Sequence, residues 1–361
     1  MSITLPPEIL QGFTPYLNRY NLTVCVRVCQ DWHAVFNPSL WKNVLLDDVK
    51  FYTRRSKIFR RGVEAGALLR SARWITTFHS ADYDAVPPLV NFLGGSSNIY
   101  TSGITTLHLG SASKTRNKEY DFTHILRLFK LCPQLKSVKL SDDMLSRSNP
   151  IVQDLIAAIP ATVETLYLTV CIIDYGVSGR DLPGVRGSIA HIPRPQPLIP
   201  FLPRLTTLQI YRFVDVTPSS WSLMFKNCPL LETLHLDRIN SLEASRAISS
   251  AVRQFCPRLF RCIVRCGRES VIVSEAWANL LTASVGGWEG IWITAFLDYP
   301  FQLGPDCTDV LLRSGSRLKY LNLSCGATIS FECVRKLYLM SPELVIYMGR
   351  RPFDRAQILQ A

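Results

Sequence analysis

Residues 228–236 read CPLLETLHL, and the same frame returns from Cys132 as CPQLKSVKL and from Cys256 as CPRLFRCIV. Looser copies are GITTLHL from Gly103, ATVETLYL from Ala161, LPRLTTLQI from Leu202 and GSRLKYLNL from Gly315. Fainter ones start at Arg73 (RWITTFHS), Gly287 (GWEGIWIT) and Ser341 (SPELVIYM). Their leading apolar residues are Ile75, Ile104, Leu135, Val163, Leu205, Leu231, Leu259, Trp288, Leu318 and Leu344. Successive spacings are 29, 31, 28, 42, 26, 28, 29, 30 and 26 residues, so one unit recurs along most of the chain. Inside a copy the alternation puts Leu208 and Ile210, or Leu234 and Leu236, on one face of a short strand.

Between the strands the apolar period changes. Phe122, Ile125, Leu126 and Phe129 fall at i, i+3, i+4, i+7, and Ile248, Val252 and Phe255 at i, i+4, i+7, which predicts a helix before each strand. Proline precedes the leading residue at Pro133, Pro160, Pro203, Pro229, Pro257 and Pro342, and proline cannot continue a helix. The L-x-x-L-x-L strand with its following helix resembles the longer, cysteine-containing leucine-rich repeat, from about Ser71 to Gly349. One such unit cannot bury its apolar face alone. The units are therefore expected to stack into a curved α/β solenoid, parallel strands concave and helices convex, with Cys132, Cys228 and Cys256 as small core residues. The 42-residue step holds a Gly- and Pro-rich insertion over about Tyr175–Pro200, expected as a projecting loop.

The first 46 residues follow a different pattern. Pro6 and Pro7 suit a helix's first turn, and Asn21 is a candidate N-cap for a second helix carrying Leu22, Val26 and Cys29. Trp32, Phe36, Leu40 and Trp41 close the segment. The ordered series Leu5-Pro6, Glu8-Ile9, Tyr16-Leu17, Leu22, Val28-Cys29, Trp32 and Leu40-Trp41 resembles an F-box. That resemblance implies a small three-helix module binding the Skp-type adaptor of a cullin–RING ubiquitin ligase. Leu5, Pro6, Ile9 and Leu17 are the implied contacts; Val28, Trp32, Leu40 and Trp41 are shared between the module's core and its edge. The expected organisation is an F-box-like module at 1–46, a basic linker at 47–70, a repeat array at 71–349 with its insertion near 175–200, and a tail at 350–361.

The chain of 361 residues carries 40 basic and 28 acidic residues, a net charge of +12 that favours acidic partners. Lys50, Arg54, Arg55, Lys57, Arg60 and Arg61 form a cationic run without an intervening acid. No secretory signal is visible, and the apolar stretch Trp277–Leu297 belongs to the repeat, so it reads as core and no membrane partner is expected. Eleven cysteines without a leader suit a reducing, cytoplasmic or nuclear setting, and their spacing supplies no zinc site. No phosphate-cradling glycine loop, H-E-x-x-H or G-x-S-x-G is present, and no cofactor is implied. The expectation is a non-catalytic substrate receptor. The alternatives are a repeat scaffold without a ligase role, or an RNA- or DNA-binding repeat protein, the latter lacking any base-reading motif.

The strand register names a target face. Residues between the last two apolar positions point away from the core: His79, His108, Lys139, Tyr167, Gln209, His235, Ile263, Trp292 and Asn322. Tyr211, Asp237, Arg261, Arg265 and Tyr320 flank this column. His108, Lys139, Tyr167, Gln209, Tyr211, His235, Arg261, Arg265, Trp292 and Tyr320 are therefore the target-binding candidates. Arg261 and Arg265 beside Trp292 mark the end suited to an acidic or phosphorylated segment.

Overall fold

The computed structural model describes residues 5–46, 74–80, 86–95, 103–110, 123–141, 150–173, 199–214, 217–237, 242–265, 274–294, 301–324, 327–348, 351–352 and 354–360. The cationic run and nearly all of the 175–200 insertion lie outside these residues. The chain forms two compact units: Met1–Met144 with Ala158–Thr162, and Leu145–Ala157 with Val163–Ala361.

The first unit opens with helices α1 (Pro7–Phe13), α2 (Arg19–Cys25) and α3 (Gln30–Lys42), with a short 3-10 turn at Thr14–Tyr16. Pro7 starts α1 where a missing N–H costs nothing. The cap of α2 is Asn18, three residues before the expected Asn21. Asn18 Oδ1 accepts the Asn21 N–H at 2.9 Å, so Asn21 is already in the first turn. Leu10, Leu22 and Phe36 bury one side chain from each helix, and Leu17, Cys25, Val26, Trp32, Val35 and Leu40 close around them. Burying each of those three contributes roughly 1.5–3 kcal/mol, which is a thin core for a free-standing domain.

Helix α3 runs straight into strand β1 (Asn43–Leu46), which pairs in parallel with β2 (Thr77–Ser80), putting Asn43 opposite Thr77. The module's last four residues thus belong to the sheet as well. β2 pairs with β3 (Thr106–Leu109) and β3 with β4 (Ser137–Leu140), all parallel. Helices α4 (Val86–Gly95) and α5 (Thr123–Leu131) precede β3 and β4 and pack on each other. The buried stripe of α5 is Ile125, Leu128 and Phe129, so the expected stripe is rotated: Leu126 is only half-buried.

In the second unit α6 (Pro150–Ala157) is followed by β5 (Thr165–Ile173), β6 (Thr207–Val214), β7 (Thr233–Asp237), β8 (Arg261–Arg265) and β9 (Gly290–Thr294), each parallel to the next. Helices α7 (Pro218–Lys226), α8 (Leu242–Phe255), α9 (Ser274–Leu281) and α10 (Pro305–Arg313) form the second layer, each packing on its neighbour. β10 (Phe301–Gln302) leaves the ladder to pair with β12 (Ala327–Thr328), while β9 pairs with β11 (Tyr320–Ser324). β13 (Val345–Met348) follows α11 (Phe331–Met340) and pairs with β11. The expected tail is ordered structure: β14 (Arg351–Pro352) pairs antiparallel with β13, and α12 (Arg355–Gln360) packs on α11 with Ile358 buried. There Arg355 donates to the carbonyls of Pro342 and Tyr338 and sits over the Tyr338 ring.

All ten leading apolar residues of the repeat are buried, none more than 4% exposed. The repeat's turn explains why. The N–H groups of Leu135, Leu231 and Leu259 donate to the carbonyls of Cys132, Cys228 and Cys256, with proline next in the turn, where its fixed φ fits. Adjacent turns also interlock. Cys256 Sγ lies 3.3 Å from the Cys228 carbonyl, and the Ser341 hydroxyl donates to that of Leu318. Burial pushes the Cys228 thiol up, and those of Cys256 and Cys262 to about 12, so they stay protonated core groups.

Candidate functional site

Two surfaces carry the sequence-predicted residues. On the helical module Leu5, Pro6, Ile9 and Val28 are exposed; Ile9 and Val28 leave 51% and 57% of their surface to solvent. Leu17, Trp32 and Leu40 instead pack against the small core, and the half-buried Trp41 donates its indole N–H to Asn37 Oδ1 at 2.9 Å. Tyr16, already in the motif series, is exposed as well, and so are Phe13, Tyr20 and Val24, which the motif alone did not pick out. Helix phase gives them: Ile9 and Phe13 are one turn apart away from Leu10, and Tyr20 and Val24 one turn apart away from Leu22. An exposed set of this size on so thin a core is a protein-binding surface in waiting.

The second surface is the outward side of the strands. In the first unit His79, His108 and Lys139 stand in register on neighbouring strands. The two imidazoles meet edge to face, with centroids 5.0 Å apart. Burial, then His79, then Lys139 pull the His108 pKa down to about 4, so the ring is neutral at neutral pH.

In the second unit Tyr167, Gln209, His235, Ile263, Trp292 and Asn322 are in register, and Tyr347 continues the row. His235 does not line an open surface as expected: it is 6% exposed, its ring tilted against Tyr211 at 5.1 Å. Gln209 donates to the Tyr211 hydroxyl, so these three side chains form one closed polar cluster. The side chains of Arg265 and Asp237 lie outside the described set.

Trp292 is half-buried in this row. It opposes Ile263 and Asn322, and its ring lies over Gly290, where a Cβ would come within 2.7 Å of the indole. Glycine is thus what lets the indole pass above β9. The Tyr320 ring stacks beside it, 6.3 Å away and 16° from parallel, and Arg261 approaches Gly290 from the other neighbouring strand. Glu289 accepts from Lys319 at 3.1 Å and pairs with Arg261 at 3.4 Å, and these cations hold its pKa below the usual carboxylate value. Asn322 Oδ1 is buried with no hydrogen-bond donor among the described residues. A stacked indole and phenol beside two cations suit gripping a polypeptide. Among the described residues no three His, Cys, Asp or Glu side chains gather as metal ligands, and no helix is long and apolar enough to cross a membrane.

The F-box-like family matches residues 3–47. No curated protein sequence matches the chain. Among solved structures, the leucine-rich repeat-containing protein LegL7 of Legionella pneumophila is 16% identical, with a TM-score of 0.42, covering 79% of this chain and 95% of its own. A Bacteroides fragilis protein is 12% identical with a TM-score of 0.38, covering 85% and 75%. The functional domain of InlJ from Listeria monocytogenes, which includes a cysteine ladder, is 11% identical with a TM-score of 0.23, covering 77% and 64%. The chain thus carries an F-box-like domain over residues 3–47, followed by strand-and-turn repeats of the leucine-rich pattern.

Proposed function

We propose that this chain is the non-catalytic substrate-recognition subunit of a cullin–RING ubiquitin ligase, its module docking a Skp-type adaptor and its repeats holding the target. One observation carries the reading: the module exposes Leu5, Ile9, Phe13 and Val28 while, among the described residues, its buried apolar centre is Leu10, Leu22 and Phe36. F-box domains bind Skp-type adaptors, and apolar anchors set into a partner's groove are the physical basis for such docking. The target's place is the strand face of the second unit, around Trp292, Tyr320 and Arg261. The net charge of +12 favours an acidic or phosphorylated target segment there. This role belongs to the cytoplasm or nucleus.

Co-purification of the full chain with a Skp-type adaptor tests the reading. The wild type should retain the adaptor and a Leu5→Ala, Ile9→Ala double variant should lose it, with an unchanged circular dichroism spectrum. Anchors of this kind can each cost ~2 kcal/mol or more on truncation. Equal retention by both chains sinks the proposal and leaves a repeat scaffold.

A further inference from the structure

On the strand face of the second unit an apolar strip meets a charged rim. Ile263 on β8 opposes Trp292 on β9, and the indole reaches back over Gly290. Gly290 opposes Tyr320 on β11, which opposes Val345 on β13. Ile263, Trp292 and Val345 are half-buried, and Tyr320 is 43% exposed. The Trp292 and Tyr320 planes lie 16° from parallel, so the two rings turn their faces the same way.

The rim is Arg261, Glu289 and Lys319, at the start of the same three strands. Glu289 is shared: it accepts from Lys319 Nζ at 3.1 Å and pairs with Arg261 Nη2 at 3.4 Å. Among the described residues neither cation has a second carboxylate within ion-pair reach. Two cations against one carboxylate leave one positive charge in excess, and the adjoining turns add Arg317 and Glu343, which cancel. Both cations keep N–H groups beyond those on Glu289, and their side chains are 43% and 51% exposed. A single excess charge beside an apolar strip matches one carboxylate better than a phosphate, which carries close to two negative charges.

We propose, building on the target-binding role above, that this junction takes an extended segment in which an Asp or Glu stands two residues from a proline. The carboxylate meets Arg261 and Lys319, and the proline ring packs on Trp292 and Tyr320. Geometry sets the spacing. Strands lie about 4.8 Å apart, so the step from Arg261 on β8 to the ring pair on β9 and β11 is about 7 Å, the i to i+2 advance of an extended chain. Residues i and i+2 also face the same side. Proline suits the rings because it brings no N–H to leave unpaired and loses little side-chain freedom, and aromatic-lined grooves take it for these reasons.

Fluorescence polarisation of the full chain with a labelled Ala-Asp-Ala-Pro-Ala-Asp-Ala peptide tests this, since that peptide offers the spacing in both directions. Asn in place of both Asp, or Ala in place of Pro, should weaken binding about tenfold. Phosphoserine in place of Asp should bind no tighter than Asp. Tyr320→Ala and Arg261→Gln should each weaken binding about fivefold or more, with unchanged circular dichroism. Lys336→Gln, an exposed lysine on α11, should leave it intact. No binding, tighter binding of the phosphoserine peptide, or equal binding by Tyr320→Ala and Lys336→Gln overturns the motif. A target that needs Trp292 but lacks the motif would overturn it too and keep the receptor role, whereas failure to capture the adaptor sinks the role itself.

Discussion

Gly290 controls the one tryptophan of the strand row by having no side chain. A Cβ there would meet the Trp292 ring at 2.7 and 2.9 Å, so Gly290→Ala must push the indole off its seat beside Tyr320. The ring end is the movable partner, so the fold should survive with a loss of about 1–3 kcal/mol, typical of overpacking. Near-ultraviolet circular dichroism checks this: the variant's aromatic spectrum should change, and should not change again when Gly290→Ala is placed on Trp292→Leu. His108 gives a second prediction at this scale. Its folded pKa lies near 4 against 6.5 for a free imidazole, because burial and then His79 and Lys139 oppose its charge. As pH falls through that window the unfolded chain takes up a proton that the folded chain refuses. The stability His108 contributes is thus complete above 6.5 and is lost on the way down to about 4. Urea midpoints at about pH 7.5 and 5 should fall less in His108→Gln than in the wild type; equal slopes would remove His108 from the acid response.

Each strand is an independent test of register. In β4, Leu140 is fully buried and its neighbour Lys139 is exposed, so Leu140→Ala should cost about 2–5 kcal/mol and Lys139→Ala close to nothing in chemical denaturation. Similar losses at both positions would reverse the strand's two faces. Helix ends add smaller, separable amounts. Asn18→Ala removes the oxygen that receives the Asn21 N–H and should cost about 1 kcal/mol. These elements also show what could be read from the chain alone. The recurring leading residue and the proline after each turn cysteine fixed the strands in advance, because ten copies of one pattern average out local exceptions. β1 escaped because Asn43–Leu46 sits inside the F-box motif and lacks the L-x-x-L-x-L frame. β10, β12 and β14 have two residues each, too few for any period. The burial of His235 escaped for another reason. Alternation tells which side of a sheet a residue faces, but Tyr211 and Gln209 close over that side from β6, and no pattern within β7 records it.

For the whole molecule, the proposed role requires two surfaces that can be lost one at a time. Leu5→Ala with Ile9→Ala should abolish adaptor capture and spare the target; Trp292→Ala with Arg261→Glu should do the reverse. A target found by proximity labelling supplies the second readout, and loss of both functions in either variant would point to misfolding. Raising salt should weaken the target contact more than the adaptor contact, since one uses cations and the other apolar anchors. How the module is joined to its repeats decides which controls are sound. Lys42 ends α3 and Asn43 begins β1, and the Lys42 carbonyl already accepts the Thr76 N–H at 3.0 Å. No hinge residue separates the two, so residues 1–46 cannot be unplugged like a detachable tag. A chain starting at residue 47 would lose its outermost strand and bare the backbone donors and acceptors of β2, an open edge that invites self-association. Deleting the N-terminal segment to make a decoy that traps targets without delivering them would therefore yield a sticky protein, and point changes at Leu5 and Ile9 are the way to silence the module.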